Sequence, residues 1–286
     1  MSNILITGTS SGFGFSTAQT LSEAGHHVVA TMRELEGKNA DKAAALREAA
    51  TGPGQLHVVE LDVTDDLSVE QGVARARELL GSIDVLINNA GRGGGSYVEA
   101  YTTAEYRDLF EVNLFGVHRM CRAVLPHMRA RKQGLIVNLS SGFGRVVFPF
   151  TGPYNASKFA LEAYSEGLAM ELAPTGVEVV IMQPGPFRTP FFKNRVPPGD
   201  AERVASYGEL ATVPEQTFGP LIAMIEERGP DPKLVVDKLV ELISMPAGER
   251  PLRTSIDPMF GHAAEAINEV CARAQAELAA SMQAPD

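Results

Sequence analysis

Six short apolar runs, "NILIT", "HVVATM", "LHVVEL", "IDVLIN", "GLIVNLS" and "VEVVIM", alternate with longer segments of helical periodicity. A strand with one solvated face alternates apolar and polar residues, whereas these runs are apolar throughout and need cover on both faces. The pattern therefore predicts an α/β chain with a doubly wound parallel sheet and helices on either side. The rhythm breaks after "QPGPFRTP", where helical segments are expected near 200–226, 231–245 and 258–282. These are read as part of one domain, 1–286, in which residues 1–190 carry the core and 191–286 form a lid and C-terminal extension. Such a lid would lie over the carboxyl edge of the sheet, where open α/β sheets bind ligands.

A formal net charge of -10 without a basic block argues against nucleic acid or an anionic membrane as partner, which leaves small molecules. Cys121 and Cys271 lie in separate helical stretches and suggest neither a disulfide nor a metal site. The first strand starts at once, leaving no room for a signal peptide, and no apolar run reaches spanning length. A cytoplasmic protein is expected.

Directly after the first run comes "TGTSSGFG", with Gly8, Gly12 and Gly14 leading into a helical stretch. In a strand–loop–helix setting, such glycines let the backbone approach a pyrophosphate while the free N–H groups of the helix hold its charge. Ser10, Ser11 and Phe13 complete the loop, and no Lys follows it as an ATPase-type loop would require. A dinucleotide is the expected ligand. At the end of the second run, Met32 stands where an NAD-selecting carboxylate would be, and Arg33 follows. NADP(H) is favoured over NAD(H), since a guanidinium suits a ribose 2′-phosphate and Ser10 can add a donor. The alternative is a solvated Arg33 paired with Glu34 or Glu36.

"LDV" places Asp62 and Val63 at the end of the third run, where Asp62 either accepts from an adenine amino group or caps the helix beginning near Asp66. "NNAG" ends the fourth run. Its amides are expected to tie the central strands, with Asn89, Ala90 and Gly91 forming a wall the cofactor can approach.

In "YNASK", Tyr154 and Lys158 are one helical turn apart and share a face. A nearby ammonium stabilises phenolate, so the pair reads as a phenol with a lowered pKa that can exchange a proton with a carbonyl or alcohol oxygen. Ser141 at the end of the fifth run is placed to hold that oxygen, and Asn113 in "VNLFG" to anchor water or the lysine.

Five ordered motifs, "TGTSSGFG", "NNAG", "VNLFG", "YNASK" with its upstream serine, and "PGPFRT", make the chain resemble the short-chain dehydrogenase/reductase family from about residue 3 to 190. The resemblance implies a Rossmann-like fold and an NAD(P)(H)-dependent oxidoreductase acting on a ketone, aldehyde or alcohol. It implies that Tyr154 is the acid/base and that Lys158 lowers its pKa and binds the nicotinamide ribose. Ser141 rather than Ser140 would bind the substrate oxygen, and Asn113 would complete a proton relay. Pro184, Gly185 and Thr189 would line the nicotinamide side. Pairing through long helices beginning near Asp108 and Pro153, as homodimer or homotetramer, is also implied.

"ITGTSSGFG", "VVATMRE" and "YNASKFALE" are similar to the branch containing 17β-hydroxysteroid and retinol dehydrogenases. Phe191, Phe192, Val196, Tyr207 and Phe218 suggest either an apolar lid or packing within the extension, and "GRGGGS" a loosened pocket wall. Two other readings stand beside a reductase: a silent dinucleotide sensor on the same fold, and an epimerase or dehydratase using the nucleotide transiently.

Overall fold

The computed structural model describes residues 1–283. All six apolar runs are strands: β1 Asn3–Thr7, β2 His27–Met32, β3 Gln55–Glu60, β4 Val85–Asn88, β5 Gly134–Leu139 and β6 Val177–Pro184. They join a parallel sheet of order β3-β2-β1-β4-β5-β6-β7, whose last member is β7, Arg253–Ile256. This seventh strand was not expected. Three of its four residues, "RTSI", are polar and all are half-buried, so no continuous apolar run announces it.

Successive residues of a strand face opposite ways, and β1 shows the consequence. Ile4 and Ile6 enter one core layer together with Val235 and Leu239 of α9 (Lys233–Ser244), beneath α1 (Gly12–Glu23) and α2 (Ala40–Glu48). Leu5 enters the other, against α3 (Asp66–Leu80), α5 (Gly116–Arg131) and α6 (Gly152–Leu172).

The helix expected near Asp108 starts earlier, at Thr103, as α4 (Thr103–Phe110). Thr102 and Glu105 close a capping box there, satisfying amides at the exposed end. It runs into α5 through a π-helical segment, Glu111–Phe115, after which the Gly116 amide reaches back five residues to the Glu111 carbonyl. Beyond residue 190 lie α7 (Ala201–Ala205), α8 (Val213–Arg228), α9 and α10 (His262–Gln283). Among the described residues, no helix is long and apolar enough to cross a membrane.

Candidate active site

The glycine loop sits at the carboxyl end of β1, and its backbone explains its residues. Gly8 and Gly12 have φ of 69° and 58°, where a side chain is strained. A Cβ on Gly8 would also fall 2.7 Å from Ala90 Cα, and one on Gly14 would fall 2.5 Å from the Gly8 carbonyl oxygen. The tie expected of the asparagines is present: Asn89 Nδ2 donates to the carbonyls of Thr7 and Gly8 at 2.8 and 2.9 Å. Asn88 donates to Asn138 Oδ1 at 2.8 Å, and Asn138 in turn to Ser165 Oγ at 2.9 Å.

The loop fits a dinucleotide phosphate. Ser11 caps α1 with extended backbone and no side-chain hydrogen bond, and no acid stands in the first turn, so the positive helix end is uncompensated. Above Gly12 a Cβ would meet nothing nearer than Thr189 Cβ at 3.8 Å, while Ser10, Ser11 and Phe13 are half-buried around it.

At the edge of this site Arg33 lies half-exposed between two carboxylates, with Nη1 3.6 Å from Asp62 Oδ2 and Nε 3.8 Å from Glu34 Oε1. The cap of α3 is Asp65, which accepts from Ser68 N at 2.6 Å, so the capping alternative for Asp62 falls. Asp62 Oδ1 instead accepts from the Thr64 amide and hydroxyl at 2.9 and 2.8 Å. Burial raises its pKa, but those bonds and Arg33 outweigh it and hold the carboxyl below the usual range. Val63 is buried against Gly116.

Tyr154 and Lys158 face inward from the first turns of α6, which opens with Pro153. Ser141, two residues past the end of β5, caps the 3₁₀ turn Gly142–Gly144 by accepting from Phe143 N at 3.1 Å, and its hydroxyl is near enough to oppose the rise of the Tyr154 pKa. Ser140 Oγ is buried without a partner, beside Gly144. Lys158 Nζ donates to the Leu139 carbonyl at 2.7 Å and lies 5.9 Å from the centre of the Tyr154 ring.

Two expectations change here. Burial pushes the Tyr154 phenol up to about 12, with Ser141 opposing, and brings Lys158 down to about 8, with Glu162 opposing. Loss of water sets the direction and Ser141 only opposes it, so in this state the phenol is not lowered. Asn113, within the π-helical segment, spends its amide on Arg92 and Ser157, accepting from Arg92 N at 2.8 Å and donating to Arg92 O and Ser157 Oγ, both at 2.9 Å. It fixes the chain after Gly91 and does not bond the lysine.

The aromatics after Thr189 close over this centre. Phe191 packs on Tyr154 and, on its other side, meets Gly93, where a Cβ would come within 3.0 Å of the ring. Gly95 faces Phe218 and Gly94 faces Tyr101 in the same manner, so these glycines tighten the wall they were expected to loosen. Val196 N donates to Gly93 O at 2.8 Å. Tyr101, which the sequence did not single out, accepts from Gly95 N at 2.8 Å and donates to Val196 O at 2.7 Å. Phe192 packs edge-on against Phe191, and Tyr207 stacks on Tyr97. Pro184 ends β6, and Gly185 N donates to Ile256 O at 2.9 Å, with Asp257 too near Gly185 to allow a side chain.

Residues 2–198 match the short chain dehydrogenase family. Over 192 residues the chain is 45% identical to a 3-ketodihydrosphingosine reductase of Bacteroides thetaiotaomicron, a match covering 67% of this chain and 66%, just under two thirds, of that protein. Human retinol dehydrogenase 8 is 42% identical over 66% of this chain and 60% of its own length. An actinorhodin polyketide ketoreductase solved with NADPH superposes with a TM-score of 0.74 at 30% identity, over 92% of this chain and 97% of that one. With this sheet order, this glycine loop and the matched length, the chain belongs to the short-chain dehydrogenase/reductase family of NAD(P)(H)-dependent oxidoreductases that act on alcohol and carbonyl groups.

Proposed function

We propose that the protein interconverts a ketone or aldehyde and its alcohol on a largely apolar substrate with NADP(H), using Tyr154 as the acid/base. The observation that carries this reading is the meeting of Ser141 and Lys158 around one buried phenol beside the glycine loop. A bound nicotinamide would supply or take the hydride. Tyr154 gives its proton to the substrate oxygen as it becomes an alkoxide, and a phenol held protonated by burial is primed to donate. Ser141 donates a second hydrogen bond to that oxygen, where charge develops. Lys158, fixed by Leu139, supplies positive charge that steadies the phenolate left behind.

Gly8, Ser10, Ser11, Gly12, Phe13 and Gly14 would hold the pyrophosphate half, and Arg33 the 2′-phosphate, with Asp62 and Val63 beside the adenine. Asn89, Ala90 and Gly91, with Pro184, Gly185 and Thr189, would line the nicotinamide half. NADPH in the solved ketoreductase supports this cofactor. The aromatic cover of Phe191, Phe218 and Phe148, together with 3-ketodihydrosphingosine and retinol in the names of two relatives, supports an apolar substrate. Exposed Phe115, Phe159 and Met170, on the helices expected to pair, suit a homo-oligomer. The test is loss of NADPH and NADH absorbance over a panel of ketones and aldehydes. Turnover with NADPH that disappears in Tyr154→Phe is expected; tight NADPH binding with a silent panel would turn the reading to a sensor.

A further inference from the structure

Four side chains spaced by one helical turn, Tyr154, Lys158, Glu162 and Glu166, form a stripe along α6. The third is unusual: the Glu162 side chain is 2% exposed and sits one helical turn beyond the lysine. A buried carboxylate needs partners for both oxygens, and Glu162 has them from two other elements. Gln183 of β6 donates to its Oε1 at 2.9 Å, and Arg253 of β7 donates through Nε to its Oε2 at 2.9 Å. Arg253 also donates to Glu166 at 2.8 and 3.4 Å, and Gln183 is held by Asn268 of α10, which donates to it at 2.7 Å.

Charged groups of opposite sign thus follow one another, from the buried Lys158 and Glu162 to Arg253 and the half-buried Glu166. Gly144 marks how closely the members pack, since a Cβ there would come 3.0 Å from Glu162 Cγ and 3.2 Å from the Lys158 carbonyl. Around the lysine stand the Leu139 carbonyl from β5, the Tyr154 phenol and the Asn113 amide beside Gly91. Asp257, following β7, faces Gly142 and Gly185 and accepts from the amides of Met259 and Phe260.

We propose that Glu162 is a positioning residue that helps keep Lys158 charged inside the protein, with Arg253 and Gln183 fixing the Glu162 side chain in place. Burial alone strips a lysine of its proton; a fixed carboxylate one turn away opposes this. With its oxygens taken by Gln183 and Arg253, Glu162 would act only through Lys158. The proposal rests on the reading of Tyr154 and Lys158 as the acid/base pair.

The test is the protonation midpoint of Lys158 in the intact protein, followed by NMR of 13C-labelled lysine and assigned by the resonance missing in Lys158→Met. Alongside it runs the pH profile of kcat/KM for carbonyl reduction. In Glu162→Gln the midpoint should fall by ~1 pH unit or more, and the alkaline limb of the profile should move with it. A folded Glu162→Gln protein with an unchanged midpoint overturns the proposal. If that variant does not fold, Glu162→Asp decides: withdrawing the charge by one methylene should lower the midpoint by less, and no change overturns the idea. Turnover in wild-type protein that survives Lys158→Met would sink the acid/base reading, whereas the NMR midpoint still judges Glu162.

Discussion

The ring of Phe191 lies across that of Tyr154, with centroids 5.5 Å apart and planes inclined by 56°. In the proposed reaction a substrate carbonyl approaching the phenol would pass this ring, so Phe191 would set the room beside the reacting carbon. Phe191→Ala is expected to raise kcat/KM for bulky apolar ketones at least ~tenfold relative to small ones, consistent with a pocket contact of one to a few kcal/mol. Steady-state kinetics on a size-graded ketone series checks this; an unchanged ratio would remove Phe191 from the substrate wall.

Tyr101 secures the same cover from below. Tyr101→Phe leaves the Gly95 amide and the Val196 carbonyl each without a partner, and should destabilise the protein by roughly 1–3 kcal/mol. Urea denaturation gives the loss, and limited proteolysis should show faster cutting after residue 190 if the bridge holds the lid.

Lys158 should make stability depend on pH in a definite direction. Its folded pKa, about 8, lies below the ordinary 10.5. Between these values the unfolded chain retains a proton that the folded protein has released, so this group's contribution to stability rises with pH across that window. Lys158→Met should therefore raise the melting temperature at pH 7, flatten the rise between 8 and 10.5, and abolish turnover. Tyr154 acts oppositely: with its folded pKa pushed up to about 12, stability falls as pH climbs above 10. Thermal melts of wild type, Lys158→Met and Tyr154→Phe separate the two.

Gly8 combines a left-handed backbone with backbone contact at Ala90, whereas Gly12 has the backbone without the crowding. Gly8→Ala should cost about 2 kcal/mol or more and weaken NADPH binding beyond tenfold; Gly12→Ala should cost only about 1 kcal/mol in the unliganded protein. Fluorescence of NADPH itself reports binding.

Arg33→Ala should weaken NADPH binding ~tenfold or more while leaving NADH nearly unchanged, because only the former carries the ribose 2′-phosphate that Arg33 would hold. Equal losses for both nucleotides would show that Arg33 serves the Asp62 corner and not the phosphate.

The parts of this molecule that could be read in the sequence are those governed by short-range rules. Continuous apolar runs located β1 to β6, and a spacing of four placed Tyr154 and Lys158 on one face. Strand β7 escaped because an edge strand of four half-buried residues carries no such run. The π-helical turn at Asn113 changes hydrogen-bond spacing by one residue and leaves the amino-acid pattern untouched. The direction of the Tyr154 pKa depends on cover from Phe191, far along the chain, so a local pair could suggest only the opposing effect. Likewise, whether Asp62 or Asp65 caps α3 is decided by a single turn of backbone.

Arg253 stands 91 positions after Glu162, the carboxylate it neutralises. On the ribosome, helix α6 is therefore finished long before its counter-ion has been translated. A nascent chain ending short of β7 would have to bury Glu162 without its guanidinium, with Gln183 on Oε1 and nothing from β7 on Oε2, a penalty that opposes docking of the helix. The last strand to emerge thus acts as a completion check, and a prematurely terminated chain is left with its reactive helix unsettled.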